Sequence, residues 1–330
     1  ICGLGPVLAK HGKARVSMPG GCVIGSRPID LQLKGLQTLG ATIVVERGDV
    51  IASGSLHGAR VYLSGTFGSS VLATANLMMA ATLAQGSTII EHAACEPEVT
   101  DLGNFLVAMG AHIEGHGSSV IRIEGVARLH GAHHRIIPDR IEAGTLMIAA
   151  AIAGGEVTIE GARAEHLGAL IDKLSEAGVS IEKLNGSLRV RSSGQLQAVD
   201  VTTLPFPGFP TDLQAQMMAL MAISRGVSVL TEKIYPDRFM HVAELNRMGA
   251  SITREGASAI VKGVNRLSGA PVVGPDLRAS AALVLAGLAA ESQTEISGLE
   301  HLDRGYQKLE EQLRGLGALV RRQTEPKNIP

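Results

Sequence analysis

The chain is poor in aromatics, cysteine and net charge. It has no tryptophan, 3 tyrosines and 5 phenylalanines in 330 residues, so its cores must be filled by aliphatic side chains. Three cysteines, Cys2, Cys22 and Cys95, are too few for a disulfide framework and fit a reducing compartment such as the cytoplasm. A formal net charge of -1 leaves no electrostatic footprint for nucleic acid. The longest apolar stretch, around Ala279 to Ala290, falls short of the ~18 residues that mark a membrane span. No charged-then-apolar signal segment opens the sequence, and its first residue is Ile1. No Cys-x-x-Cys or His-Glu-x-x-His pattern suggests a metal. The Gly3-Leu4-Gly5 run has Leu8 where a dinucleotide loop needs its third glycine, and no Gly-rich loop ends in Lys-Ser/Thr. Neither metal nor cofactor is expected.

What is abundant is glycine, 40 residues, well above the ~7% of average usage. It has no three-residue period, so collagen is excluded, and an apolar content of 45% argues against long disorder. The glycines punctuate a repeat. A leucine-rich stretch, then Gly-Ala or a close variant, then a β-branched run recurs at Gly40, Gly110, Gly178, Gly249 and Gly317, at intervals of 68–71 residues. Interleaved with it, an alanine-rich stretch ends at Gly12, Gly86, Gly154, Gly226 and Ser292, each followed by a strand-like run. Paired strands follow near Val50, Val120, Leu188 and Ala259, and Asn185-Gly186 marks a hairpin turn. Each unit of ~70 residues therefore reads as helix, strand, helix, strand, strand. The closing glycines suit left-handed C′ positions. Doubly apolar helices such as the one after Thr211 point to helices buried in closed α/β domains rather than a linear solenoid.

Polar residues recur at fixed places in this repeat. Arg140 and Asp212 lie fourteen residues before their closing glycines, and Asp276 and Arg278 occupy the same zone of the last copy. These are helix N-termini, which attract anions. For Asp212 alone, a simple N-cap helped by Thr211 would also account for the residue. Arg27, Arg238 and Arg304 sit in the loops before the second helices, an arrangement suited to phosphate or carboxylate. Cys22 lies in the loop Pro19 to Asp30, flanked by glycines and close to Arg27, a setting that favours thiolate.

The stretches PGGCVIGSRPIDLQ, EPEVTDLGNFLVAMGA, PDRIEAGT, FPTDLQAQ, DRFMHVAELNRMGA, DLRASAALVLAG and HLDRGY resemble the UDP-N-acetylglucosamine 1-carboxyvinyltransferase family of enolpyruvyl transferases. The resemblance runs from end to end of the chain. It implies an inside-out α/β barrel of βαβαββ repeats in two domains. Residues 1–136 would be the remainder of the catalytic-loop domain, about two repeats, and 137–330 a second domain of three repeats. Six repeats would make ~420 residues, so ~90 N-terminal residues of the family pattern, with its Lys-Asn pair, are expected to be missing. The implied reaction passes enolpyruvyl from phosphoenolpyruvate to the 3′-hydroxyl of UDP-N-acetylglucosamine through a tetrahedral ketal, with phosphate as leaving group. It is the first committed step of peptidoglycan synthesis.

By position, Cys22 matches the family's acid, Asp212 the base, and Arg304 a further catalytic residue. Arg27, Arg238 and Arg278 match cationic contacts to phosphoenolpyruvate. Pro28, Asp30 and Leu31 match uridine contacts, Ser70 and Val71 contacts to the nucleotide phosphates, and Ile234 a further substrate contact. The chain departs from the family at Leu72, where a glycine is usual, and in a longer Gly-Ser stretch from Ser64 to Ser69. Two rivals remain: the shikimate-pathway enolpyruvyl transferase, which lacks the Cys22 loop, and a non-catalytic relative that binds a nucleotide sugar.

Overall fold

The computed structural model describes residues 1–18 and 29–323. Eleven helices are present among them: α1 Leu4–His11, α2 Asp30–Thr38, α3 Val71–Ala81, α4 Pro97–Ala108, α5 Arg140–Ala153, α6 Gly168–Glu176, α7 Gln214–Met221, α8 His241–Arg247, α9 Leu277–Ala289, α10 Leu299–Leu302 and α11 Leu309–Gly315. The chain forms two compact units. The first is Ile1–Pro138 with Thr203–Pro210, and the second is Asp139–Thr202 with Thr211–Pro330.

The repeat is visible in the sheets. In the first unit, Lys13–Ser17 and the hairpin Thr42–Glu46/Asp49–Ser53 make one three-stranded sheet. Arg60–Tyr62 runs parallel to Ser87–Glu91, which pairs with the hairpin His112–Glu114/Val120–Glu124. The second unit repeats both patterns. Gly155–Glu160 joins the hairpin Ser180–Leu184/Ser187–Ser192. Val201–Thr202 runs parallel to Val227–Thr231, which joins Ser251–Glu255/Ser258–Lys262. The fourfold recurrence matches the expected order of elements.

The helices are inside and the sheets outside. Within the second unit α5, α7 and α9 pack on one another, and all eight residues of α7 are buried. Such a helix has no solvent-facing side: Ala215 and Met217 to Met221 are apolar, and its two polar residues, Gln214 and Gln216, are buried with them. Alanine makes this possible, because three helices can converge only where side chains are small. Gly144 shows the limit: a Cβ there would lie 2.6 Å from Leu213 Cδ1.

The punctuation works as the sequence suggests. Gly40, Gly110, Gly178, Gly249 and Gly317 all have φ between 87° and 100°. Gly12, Gly86, Gly154 and Gly226 are also left-handed, and Ser292 adopts φ 74° in the same place. The strand expected after Gly317 is absent among the described residues. In the four other repeats this segment is an outer strand held by its hairpin partner. After Gly317 no described strand lies beside it, and Leu319 is fully exposed.

Candidate active site

The second unit concentrates charge at the N-terminal ends of its buried helices. Asp139 and Asp276 are ordinary caps. Asp139 Oδ1 accepts from the Ile141 and Glu142 amides, and Asp276 Oδ1 from those of Arg278 and Ala279. Asp212 does something else. It sits in a single 3₁₀ turn, Thr211–Leu213, ahead of α7. Its Oδ1 accepts from Arg238 Nη1 at 2.7 Å and its Oδ2 from Arg278 Nη2 at 3.3 Å. The N-cap alternative is thereby corrected: among the described residues the carboxylate accepts from arginines and from no backbone amide.

A neutral-looking sequence hides the scaffold of this pair. Glu232, fully buried at the end of Val227–Thr231, accepts from the Ile234 and Tyr235 amides with Oε1 and from the Thr211 hydroxyl with Oε2. Arg238 Nη1 also donates to Thr211 Oγ1 at 3.0 Å. Glu232 thus fixes both the loop that carries Arg238 and the turn that carries Asp212. On the other side, Gln216 of α7 donates to the Asp212 carbonyl at 2.9 Å, to Thr145 Oγ1 and to the Tyr306 hydroxyl. The Arg278 guanidinium lies 5.3 Å from the Tyr306 ring centroid.

The electrostatics follow from burial. Arg238 and Arg278 are buried, whereas the Asp212 side chain is 39% exposed. Burial pushes the Asp212 carboxyl up, but Arg238 and Arg278 pull it down further, and it stays below the usual carboxylate range. Arg278 Nε and Nη1 are buried with no protein acceptor among the described residues. Two buried guanidiniums, one with donors to spare, beside an accessible carboxylate can hold an anion next to a proton acceptor. His241, fully buried at the start of α8, is held neutral: burial and Arg238 draw it down to about 4 against the pull of Asp276.

Of the residues singled out from the sequence, Asp212, Arg238 and Arg278 come together, and half-buried Ile234 lies on the same loop. Arg304 is exposed in the turn after α10 and shares no hydrogen bond with the cluster among the described residues. In the first unit, exposed Asp30 and half-buried Leu31 open α2. Ser70 caps α3 through the Ala73 amide at 3.3 Å, and Val71 begins that helix. The Ser64–Ser69 stretch is a tight hairpin, Ser64–Gly65 against Gly68–Ser69. Cys22, Arg27 and Pro28 lie outside the described residues. Sequence reasoning missed Thr145, Gln216, Glu232, His241 and Tyr306. For Thr145 and Gln216 the signal was polarity inside otherwise apolar stretches; Glu232 and Tyr306 stand among polar neighbours and gave none.

Comparison with known proteins places the chain as a whole. Residues 1–313 match the family model for EPSP synthase (3-phosphoshikimate 1-carboxyvinyltransferase). The chain is 57% identical to UDP-N-acetylglucosamine 1-carboxyvinyltransferase 1 of Caldanaerobacter subterraneus over 320 residues, 97% of this chain and 76% of that protein. It is equally similar, at 57% over 326 residues, to UDP-N-acetylglucosamine 1-carboxyvinyltransferase of Rhodospirillum centenum, covering 98% of this chain and 75% of the relative. Among solved structures, the enolpyruvyl transferase NikO from Streptomyces tendae superimposes with a TM-score of 0.83 at 25% identity, over 96% of this chain and 75% of that one. EPSP synthase from Acinetobacter baumannii superimposes at 0.69 and 23%, over 96% and 77%; at that identity the likeness is one of fold.

Proposed function

The chain belongs to the EPSP synthase family, and we propose that within it this protein transfers enolpyruvyl from phosphoenolpyruvate to the 3′-hydroxyl of UDP-N-acetylglucosamine, releasing phosphate. The observation that carries the reading is the accessible Asp212 carboxylate held between buried Arg238 and Arg278. The relatives above 50% identity carry this sugar-nucleotide name, which favours it over the shikimate substrate. The product is the first committed intermediate of peptidoglycan synthesis, and the reading puts the protein in the cytoplasm.

The chemistry needs no redox step. The sugar hydroxyl adds to C2 of phosphoenolpyruvate while C3 gains a proton, and the resulting ketal then loses phosphate as C3 gives a proton back. Asp212 takes the hydroxyl proton. Cys22 delivers the proton to C3. Arg278, Arg238, Arg27 and Arg304 hold the phosphate and carboxylate and stabilise the charge that develops on them. Pro28, Asp30 and Leu31 serve the uridine, Ser70 and Val71 the diphosphate, and Ile234 the bound substrate.

The arginine contacts give Asp212 a way to become a better base on demand. Both guanidiniums lower its proton affinity. A phosphate and a carboxylate arriving on the same guanidiniums compete for that positive charge and return basicity to Asp212 when the hydroxyl is in place. The test is single-turnover phosphate release from the two substrates, using the longest form of the protein its gene encodes. No release by wild type ends the proposal; retained sugar-nucleotide stabilisation without release would instead mark a binding protein. Release by Cys22→Ser at the wild-type rate would remove Cys22 from the acid role.

A further inference from the structure

We propose that Tyr306 is a positioning residue: its hydroxyl, held by α5 and α7, fixes the ring on which the Arg278 guanidinium rests and so aims Arg278 at the transferring phosphate. The inference rests on the enolpyruvyl-transfer reading and names a residue that aligns its machinery.

Tyr306 is 2% exposed, and its hydroxyl lies 2.9 Å from Thr145 Oγ1 and 3.2 Å from Gln216 Nε2. The direction of these bonds can be deduced. Thr145 already donates its hydrogen to the Ile141 carbonyl at 2.8 Å. Tyr306 must therefore donate to Thr145 and accept from Gln216, so both capacities of its hydroxyl are used inside the protein. A fully satisfied buried phenol has no freedom to rotate away.

The ring is held from the backbone side as well. Tyr306 N donates to the Leu302 carbonyl at 3.1 Å. Gly305 lies so close to the first residue of α9 that a Cβ would sit 2.7 Å from Leu277 Cδ1. The Tyr306 side chain thus joins α5 and α7, and the turn that carries it packs against the start of α9. Arg278 spans the gap between the Tyr306 face and Asp212 and keeps Nε and Nη1 without protein acceptors among the described residues. An arginine with unused buried donors needs something other than those bonds to set its plane, and the aromatic face supplies it. The same turn carries Arg304 two residues earlier, so its register is set by the same anchor.

Tyr306→Phe keeps the ring and deletes the hydroxyl. A misaligned arginine weakens phosphate recognition, so the KM for phosphoenolpyruvate and the Kd for inorganic phosphate, read by thermal shift, should each rise about 10-fold. The KM for UDP-N-acetylglucosamine should stay within a factor of about 2. Thr145→Val, which removes the acceptor and leaves Tyr306 in place, should reproduce the shift and serves if Tyr306→Phe does not fold. In an Arg278→Lys background the Tyr306→Phe effect should vanish, because the guanidinium plane it acts on is gone. Unchanged phosphate affinity in both single variants, or an equal effect in both backgrounds, overturns the inference. A wild type that binds phosphate but transfers nothing would overturn the function reading and leave the phosphate-binding arm to decide on Tyr306.

Discussion

Asn76 in the first unit and Gln216 in the second stand at the same place in the repeat, ten residues before the left-handed glycine that follows their helix. Both are buried amides in apolar helices, and both tie neighbouring elements together. Asn76 does so among neutral groups: it accepts from the Gly5 amide at 2.6 Å and donates to the Ile1 carbonyl and to the Gln32 side-chain Oε1. Gln216 touches the functional cluster, through the Asp212 carbonyl and the Tyr306 hydroxyl. One repeat position thus does structural work in one unit and holds an ionised site in the other. What differs is the residue each amide meets.

The largest expected effects break this comparison on the side of the second unit. Asp212→Asn keeps the shape but removes the proton acceptor, and single-turnover phosphate release should slow about 10²- to 10⁴-fold. A rate within a factor of 10 of wild type would take Asp212 out of the base role. Gln216→Leu should slow release about 10-fold through the loosened Asp212 turn. Asn76→Leu should do the reverse. It strands the buried Gly5 amide and the Gln32 amide, and should lower stability by about 1–3 kcal/mol in a denaturant titration. Phosphate binding in the second unit should not change. If Asn76→Leu impairs phosphate affinity and Gln216→Leu only stability, the division between the two amides is wrong.

A third effect is set by pH. The described hydrogen bonds of Asn76 join only amides and carbonyls, whereas His241 is buried beside Asp276 and Arg238 in the second unit. Its pKa is near 4 in the folded protein against an ordinary 6.5. Between those values the unfolded chain binds more protons, so stability is present in full above pH 6.5 and is lost as pH falls toward 4. The loss is about 3 kcal/mol at most. His241→Gln should flatten the pH dependence of the denaturation midpoint in this window. Asp212, already below the usual carboxylate range, contributes only at lower pH, so the two groups separate in one titration. An unchanged slope in His241→Gln would mean that another group carries it.

These contrasts also show what the sequence could reveal. Glycine at a helix end is a local requirement of backbone conformation, so the punctuation at Gly40, Gly110, Gly178 and Gly249 could be read directly, and with it four repeats. The segment after Gly317 was misread because a strand is defined by its partner, and none is described there. Asp212, Arg238 and Arg278 could be found by their places in the repeat. Glu232 and Tyr306 could not, because the Tyr306 hydroxyl meets Thr145 and Gln216, 161 and 90 residues away, and Glu232 reaches Thr211, 21 residues away, besides the nearby Ile234 and Tyr235 amides. Such pairings depend on the packing of α5, α7 and α9, which no local pattern records.

The smallest effect tests the punctuation itself, at equivalent turns of the two units. Ser292 holds φ 74° where the first unit has Gly86 at φ 89°. A left-handed conformation costs a residue with a Cβ about 1–2 kcal/mol. Glycine escapes that strain but adds about 0.4–1 kcal/mol of unfolded-chain entropy. Ser292→Gly should therefore raise stability by about 0.5 kcal/mol, read as a higher denaturation midpoint. Gly86→Ser should lower it by a similar amount. No atom lies within 4 Å of a Cβ built on Gly86, so its loss would be conformational and not steric. Opposite signs show that backbone conformation alone selects glycine at these turns. A loss in both variants shows that the Ser292 hydroxyl has been recruited by the second unit, and the two turns are then equivalent in shape only.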